Sequence, residues 1–177
     1  MSKERNVEII EDCDGTKIVK VNDIIFKGRQ NIDWRDVEAY LIRFVGESYL
    51  IEETSDKIYI GKDLPEEYSW SKDTKRLKGA LAKAKANGVQ GIMEMIQIAD
   101  NPKYLEDFDK RHGKAAEYGW YRYDTRFALP VYLDNEEVDR YNVFKVRMIV
   151  RHASNGKKYL YDMINIKKET GKPLVGK

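Results

Sequence analysis

The period of the apolar positions changes along the chain, and the changes mark out its elements. Val7, Ile9 and Ile10 precede Asp14-Gly15, and Ile18, Val19, Val21, Ile24, Ile25 and Phe26 follow it. An Asp-Gly pair between two apolar runs signals a tight turn, so residues 6–27 are expected to form a hairpin. Between Asp33 and Gly46, Trp34, Val37, Leu41, Phe44 and Val45 recur at three- and four-residue spacing, which predicts a capped helix over 33–45. Residues 48–53 and 57–60 read as two short strands, and 61–70 as a loop containing Pro65. The longest helical pattern spans 72–99, with Leu77, Leu81, Ala84, Ile92, Met95, Ile96 and Ala99 on one face, Ser71 or Asp73 as cap and Asn101-Pro102 as terminator. Gly88 and Gly91 each weaken a helix interior by ~1 kcal/mol, so a bend or break is expected near 87–91. Residues 103–112 read as a short helix through Tyr104, Leu105 and Phe108, stopped by Gly113.

After Gly119 the period becomes two. Residues 120–133, 141–152 and 158–167 are strand-like, and Asn155-Gly156 in the second connection is a typical hairpin tip. Short connections imply a sequential antiparallel meander. The expected fold class is α+β: helices packed on one face of an antiparallel β-sheet, the C-terminal three-strand meander, with an N-terminal hairpin/helix extension. The expected division is an acidic hairpin/helix/hairpin subdomain over 1–70, a core of helices and sheet over 71–168, and a Gly/Pro/Lys-rich tail over 169–177.

Strict alternation sorts the meander into two faces. Phe144, Val146, Met148 and Val150 take one side of the second strand, and Lys145, Arg147 and Arg151 the other with Val143 and Ile149. In the first strand Arg122, Asp124 and Arg126 oppose Tyr121, Tyr123, Phe127, Leu129 and Val131. In the third, Leu160, Asp162, Ile164 and Ile166 oppose Tyr159, Tyr161, Met163 and Lys167. With the apolar sides against helices, the other side gathers Arg122, Arg126, Lys145, Arg147, Arg151, Tyr159, Tyr161 and Lys167.

Charge sharpens this picture. The 177 residues carry a net charge of only +2, but residues 1–70 hold 10 Lys/Arg against 16 Asp/Glu, and 111–168 hold 12 against 7. Such asymmetry suits a polyanion-facing side, and equally two parts that neutralise each other across their contact. The 12 tyrosines supply flat rings with polar tips, suited to nucleic-acid surfaces and to the rim of any sheet. Guanidinium groups pair with phosphates and tyrosines stack on unpaired bases, so the face suits RNA; it also suits plain solvation. Metal-free RNA cleavage would need an acid, a base and cations around the phosphate. Histidine is the natural acid or base near neutral pH, and His112 and His152 are the two present. The candidate catalytic residues are therefore His112, His152, Arg122, Arg126 and Tyr161. The candidate nucleic-acid-binding residues are Lys114, Lys145, Arg147, Arg151, Tyr159 and Lys167. Each histidine is also readable as a surface or capping residue, and Asp124 as an ion-pair partner for its neighbouring arginines.

No metal or cofactor is expected. Cys13 and two histidines cannot close a zinc site without carboxylates, and neither a phosphate-binding Gly-rich loop nor a Gly-x-Ser-x-Gly elbow occurs. Cys13 is the single cysteine, which excludes an internal disulfide and fits a reducing, cytoplasmic location. The N-terminus shows no secretory h-region, and no apolar run approaches the ~20 residues of a membrane span.

Three stretches carry a family resemblance: KAAEYGWYRYDTRFALPVY from Lys114, YNVFKVRMIVRHA from Tyr141, and GKKYLYDMINIKKE from Gly156. Together they resemble the large polyvalent protein-associated domains of phages and integrative elements, grouped with the barnase–EndoU–colicin–RelE-like nucleases. The resemblance covers 72–170 and is clearest where Arg151-His152 leads to Tyr159, Leu160, Tyr161 and Asp162, then Ile166 to Glu169. It implies helices on an antiparallel sheet whose open face meets nucleic acid, and hence an RNA-binding or ribonuclease-like effector of a mobile element. No position matches barnase's catalytic glutamate. The rival readings are a non-catalytic module that binds a protein partner through the acidic N-terminal part, and an antagonist of a host-defence nucleic-acid complex.

Overall fold

A computed structural model of the chain describes residues 5–28, 31–105, 110–169 and 174–175, with the backbone alone at 110–112 and 174–175. The protein is a mixed α+β fold. Strands β1 (Val7–Glu11) and β2 (Lys17–Val21) form the expected hairpin, turning at Asp12–Thr16, where Asp12 Oδ1 accepts from the amides of Asp14 and Thr16. Helix α1 (Trp34–Ile42) is capped by Asp33, which accepts from the Arg35 amide. β3 (Ser48–Leu50) and β4 (Lys57–Tyr59) pair antiparallel.

The segment read as a loop holds helix α2 (Leu64–Trp70); Pro65 sits in its first turn, where a missing amide hydrogen costs nothing. The long pattern over 72–99 is divided into α3 (Lys72–Arg76), α4 (Gly79–Gly88), a 3-10 turn at Val89–Gly91 and α5 (Ile92–Ile98). The break near 87–91 is thus present, and a second one lies at the extended Leu77 and Lys78. The two glycines there have a packing role. A Cβ on Gly88 would stand 3.2 Å from the Phe127 ring, and one on Gly91 2.7 Å from Val19 Cγ1, so both let the helices close on the sheet. The expected helix over 103–112 is replaced by strand β5 (Asp100–Leu105) and a 3-10 turn at Lys110–Ala116; residues 106–109 lie outside the described residues. Pairing with a neighbouring strand overrides the local helical spacing of Tyr104 and Leu105.

β6 (Trp120–Tyr132), β7 (Val138–His152) and β8 (Lys158–Lys168) pair antiparallel in succession. One sheet results, in the order β1-β2-β6-β7-β8-β4-β3, with β5 also on β6 and the short β9 (Leu174–Val175) also on β7. Strands from 1–70 therefore flank the C-terminal strands on both sides, and they join them in parallel: β2 on β6 and β4 on β8. Residues 22–28, read as the end of the hairpin, form no strand. They dock on α4, where Asn87 Oδ1 accepts from the amides of Ile25 and Phe26 and Gln90 Nε2 donates to the Asp23 carbonyl.

One main core lies between the helices and one face of the sheet, joining Val37, Leu41, Leu64, Tyr68, Val89, Ile92 and Ile96 to Tyr123, Phe127, Val146, Met148, Val150 and Leu160. Within it sits an ion pair. Lys85 is wholly buried, and its Nζ donates to Asp162 Oδ1 at 2.9 Å and Thr74 Oγ1 at 2.6 Å, with Asp73 at 3.4 Å and the Tyr68 ring centroid at 4.8 Å. Tyr68 in turn donates to the Lys85 carbonyl at 2.7 Å, and Thr74 to the Tyr68 carbonyl at 2.6 Å. The network ties α2, α3, α4 and β8 at one point. No helix among the described residues is long and apolar enough to cross a membrane.

Two outcomes test this network. Removing one partner of a buried pair strands the other charge, so Lys85→Met or Asp162→Leu alone is expected to cost about 3–5 kcal/mol. The double variant should cost less than either single one by denaturant unfolding; additive losses would refute the coupling. The second outcome concerns pH. Burial pushes the Asp162 carboxyl up from 3.8 to about 6, against the downward pull of Lys85. Its folded value lies above its unfolded one, so this group's contribution to stability is complete below the unfolded value and disappears as pH rises through about 6. Melting temperatures from pH 4 to 7 should show a fall with rising pH that Asp162→Asn lacks; parallel profiles would contradict it.

Candidate nucleic-acid interface

Register places the cationic residues on the face of the sheet away from the helices. Trp120, Arg122, Asp124 and Arg126 on β6 stand opposite Arg151, Ile149, Arg147 and Lys145 on β7. On β8, Tyr159 lies beside Arg151, Ile164 beside Arg147 and Lys167 beside Lys145. Strict alternation fails in the middle of β8. One extra residue falls between the partners of Ile149 and Val150, and another between those of Lys145 and Arg147, at Asn165 with φ of 54°. Each bulge reverses the alternation. Met163 therefore enters the core and Ile164 leaves it, opposite to the sequence expectation, while Lys167 returns to the outer face.

The outer face is less cationic than its residue types suggest. Arg126 is only 18% exposed, and its Nη1 lies 3.0 Å from Asp12 and its Nη2 3.0 Å from Glu169. Arg151 is held by Asp63 through Nε and Nη2, both at 3.1 Å, and donates to the Ala115 carbonyl at 2.9 Å. On the other face Lys158 pairs with Asp56 at 2.9 Å. Three carboxylates of the acidic N-terminal part, Asp12, Asp56 and Asp63, are thus engaged by cations of the C-terminal strands, so part of the charge asymmetry is neutralised within the molecule. Sequence spacing gave no sign of these pairs, since each spans 88 or more residues.

The remaining cations form a row. Lys145 is 67% exposed and 3.9 Å from Glu169; Arg147 and Lys167 are exposed. Lys145 and Lys167 face each other directly across two strands. Arg122 is half-buried, and its Nε has no hydrogen-bond partner among the described residues. Lys114 is exposed on the 3-10 turn, whose backbone accepts from the Ser154 amide. Tyr161 meets Trp120 edge-on at 4.8 Å.

His152 does not join this row. His152 shares the parity of the core residues Met148 and Val150, which turns it to the helix side. Its ring lies between Tyr118 at 5.2 Å and Tyr121 at 5.8 Å, with Nε2 3.1 Å from the Gly156 carbonyl. The side chain of His112 lies outside the described residues.

A cleft of about 950 Å³ opens beside the row. β6 pairs with β5 as far as Asp124 and with β2 from Phe127, so Thr125 and Arg126 lie between two partner strands. Lys145, Arg147 and Lys167 line this cleft, and so do Glu53, Asp100 and Asp124. Asp100 and Asp124 are register partners, and Asn101 bridges Glu53 and Asp124, its amide donating to Glu53 at 3.3 Å and its Nδ2 to Asp124 at 2.8 Å. Partial burial raises the Asp100 carboxyl above its ordinary value, and the charges of Glu53 and Asp124 add to this while Arg126 opposes it. The sequence gives no sign of Asp100, which falls between the helical pattern over 72–99 and its Asn101-Pro102 terminator. Among the described residues no group of three His, Cys, Asp or Glu side chains is arranged to hold a metal ion. Cys13 is exposed and free.

No protein-family profile matches the chain, and no curated protein matches it.

The two kinds of arginine should separate in stability measurements. Arg126→Met removes charge-assisted bonds to two carboxylates and is expected to cost about 1–3 kcal/mol. Arg147→Met, at an exposed site, should stay within about 0.5 kcal/mol of the parent. Equal losses in urea unfolding would show that Arg126 is not the clip described.

Proposed function

We propose that the protein binds RNA along the outer face of β6, β7 and β8, taken as a meander backed by helices, with Lys145, Arg147 and Lys167 on the phosphates. The carrying observation is the cross-strand pair Lys145–Lys167, which lines the cleft together with Arg147. Like charges directly opposed across two strands destabilise a sheet. A phosphate backbone relieves that repulsion and releases its own counterions in doing so. The resemblance of 72–170 to nuclease-like domains of mobile elements points to the same face and the same ligand. The alternative of docking a basic protein on the acidic N-terminal part is weakened by the internal engagement of Asp12, Asp56 and Asp63.

A ribonuclease-like activity at this face would draw its proton-transfer group from Asp100 or Asp124 and its phosphate contact from Arg147. Both carboxylates line the cleft with Arg147, whereas His152 lies behind the sheet. Purified protein incubated with labelled total RNA, with and without EDTA, distinguishes binding from cleavage: cleavage that persists in EDTA supports the metal-independent reading, and intact RNA confines the function to binding.

Binding itself should be electrostatic. Affinity for labelled RNA is expected to fall steeply between about 50 and 200 mM salt, and the triple variant Lys145→Glu, Arg147→Glu, Lys167→Glu should lower the salt slope by about 2. A triple variant that retains both the affinity and the slope would refute the assignment of this row.

A further inference from the structure

We propose that Tyr59 and Tyr159 form a seat for unpaired bases, so that the RNA bound on this face is single-stranded; this rests on the RNA-binding reading above and deepens it. The two tyrosines are register partners in the parallel β4/β8 pair, with ring centroids 5.8 Å apart and planes at 45°. The preceding residues of that pair turn the other way: Ile58 is wholly buried in the core. Both rings therefore project on the outer face, and Tyr159 adjoins Arg151 in register. From Arg151 to Lys145 along β7 is six residues, or ~20 Å of strand. The seat and the cationic row thus lie on one face, within reach of a few nucleotides.

The rings are built into a ladder whose two ends differ. At one end the Arg151 guanidinium lies 4.2 Å from the Tyr159 centroid, fixed by Asp63 and the Ala115 carbonyl. The Tyr159 hydroxyl accepts from Asn155 Nδ2 at 3.0 Å. The backbone of Gly61 closes against this end: a Cβ there would stand 3.1 Å from Tyr159 Cδ1 and 3.4 Å from Arg151 Nη2. At the other end Tyr59 is covered by lysines, Lys157 Nζ at 4.8 Å and Lys57 Nζ at 5.7 Å from its centroid. Both lysines are exposed. One end is preorganised and the other carries solvent-exposed cations over an aromatic face. A base can displace such a cation from the ring, and the ammonium is then placed beside the base's own phosphate. Stacking serves every base, so the seat selects unpaired strands without selecting sequence. A duplex keeps its bases stacked on one another and offers no face to the ring.

The test uses the full chain and three fluorescent probes of about 10 nucleotides: oligouridine, an abasic strand of the same length, and an RNA duplex. Oligouridine should bind about tenfold or more tightly than the abasic strand. Tyr59→Leu and the double Leu variant should lose that advantage, and the double Phe variant should keep it; circular dichroism and melting temperature confirm folding. Equal affinity for oligouridine and the abasic strand would overturn the seat while leaving electrostatic binding intact, as would a folded double Leu variant that binds like the parent. Preference for the duplex would overturn it equally. Failure of all three probes to bind would remove the seat together with the RNA reading.

Discussion

A lysine with no exposed surface holds the helical layer to the sheet. Burying Lys85 and Asp162 away from water is costly, and the cost is offset only while both are present and their remaining hydrogen-bonding capacity is met. Asp162 also accepts from the Met163 amide, and Thr74 and Tyr68 connect the lysine to two more helices. An apolar contact tolerates sliding, whereas this arrangement has one geometry. It sets where α2, α3 and α4 stand relative to β8.

That constraint reaches the opposite face through the bulges of β8. Tyr161 is the extra residue of the first of them and meets Trp120 on the outer side, while Asp162 next to it points to Lys85. Without an extra residue there, Leu160 and Met163 could not both be in the core. The second bulge, at Asn165, restores the original alternation, and for that reason Lys167 comes to stand opposite Lys145. The buried ion pair and the exposed cationic row are therefore linked by the path of one strand.

The outer face shows how charge on a sheet is apportioned by context. Arg126 and Arg151 are used to fasten distant parts of the chain, to Asp12 and Glu169 in one case and Asp63 in the other. Arg147 and Lys167 are exposed, and Lys145 keeps only a 3.9 Å approach to Glu169. Cationic side chains of one face thus become a fastening in one place and stay exposed in another, according to whether a carboxylate from another element closes on them.

Local chemistry was legible in the sequence: the Asp-Gly turn after β1, the Asp33 cap, the break around Gly88 and Gly91, the three long C-terminal strands and the outward set Arg122, Arg126, Lys145, Arg147 and Arg151. These depend on neighbours within a few residues, and periodicity records them. Tertiary structure alone decided the rest. It turned 100–105 into a strand by giving it an edge to pair with, and joined β2 and β4 in parallel to strands more than 90 residues away. It also chose which arginines meet carboxylates and brought Tyr59 beside Tyr159. Each of these outcomes depends on which strand lies next to which, and that is determined by burial of the whole core rather than by any local pattern of residues.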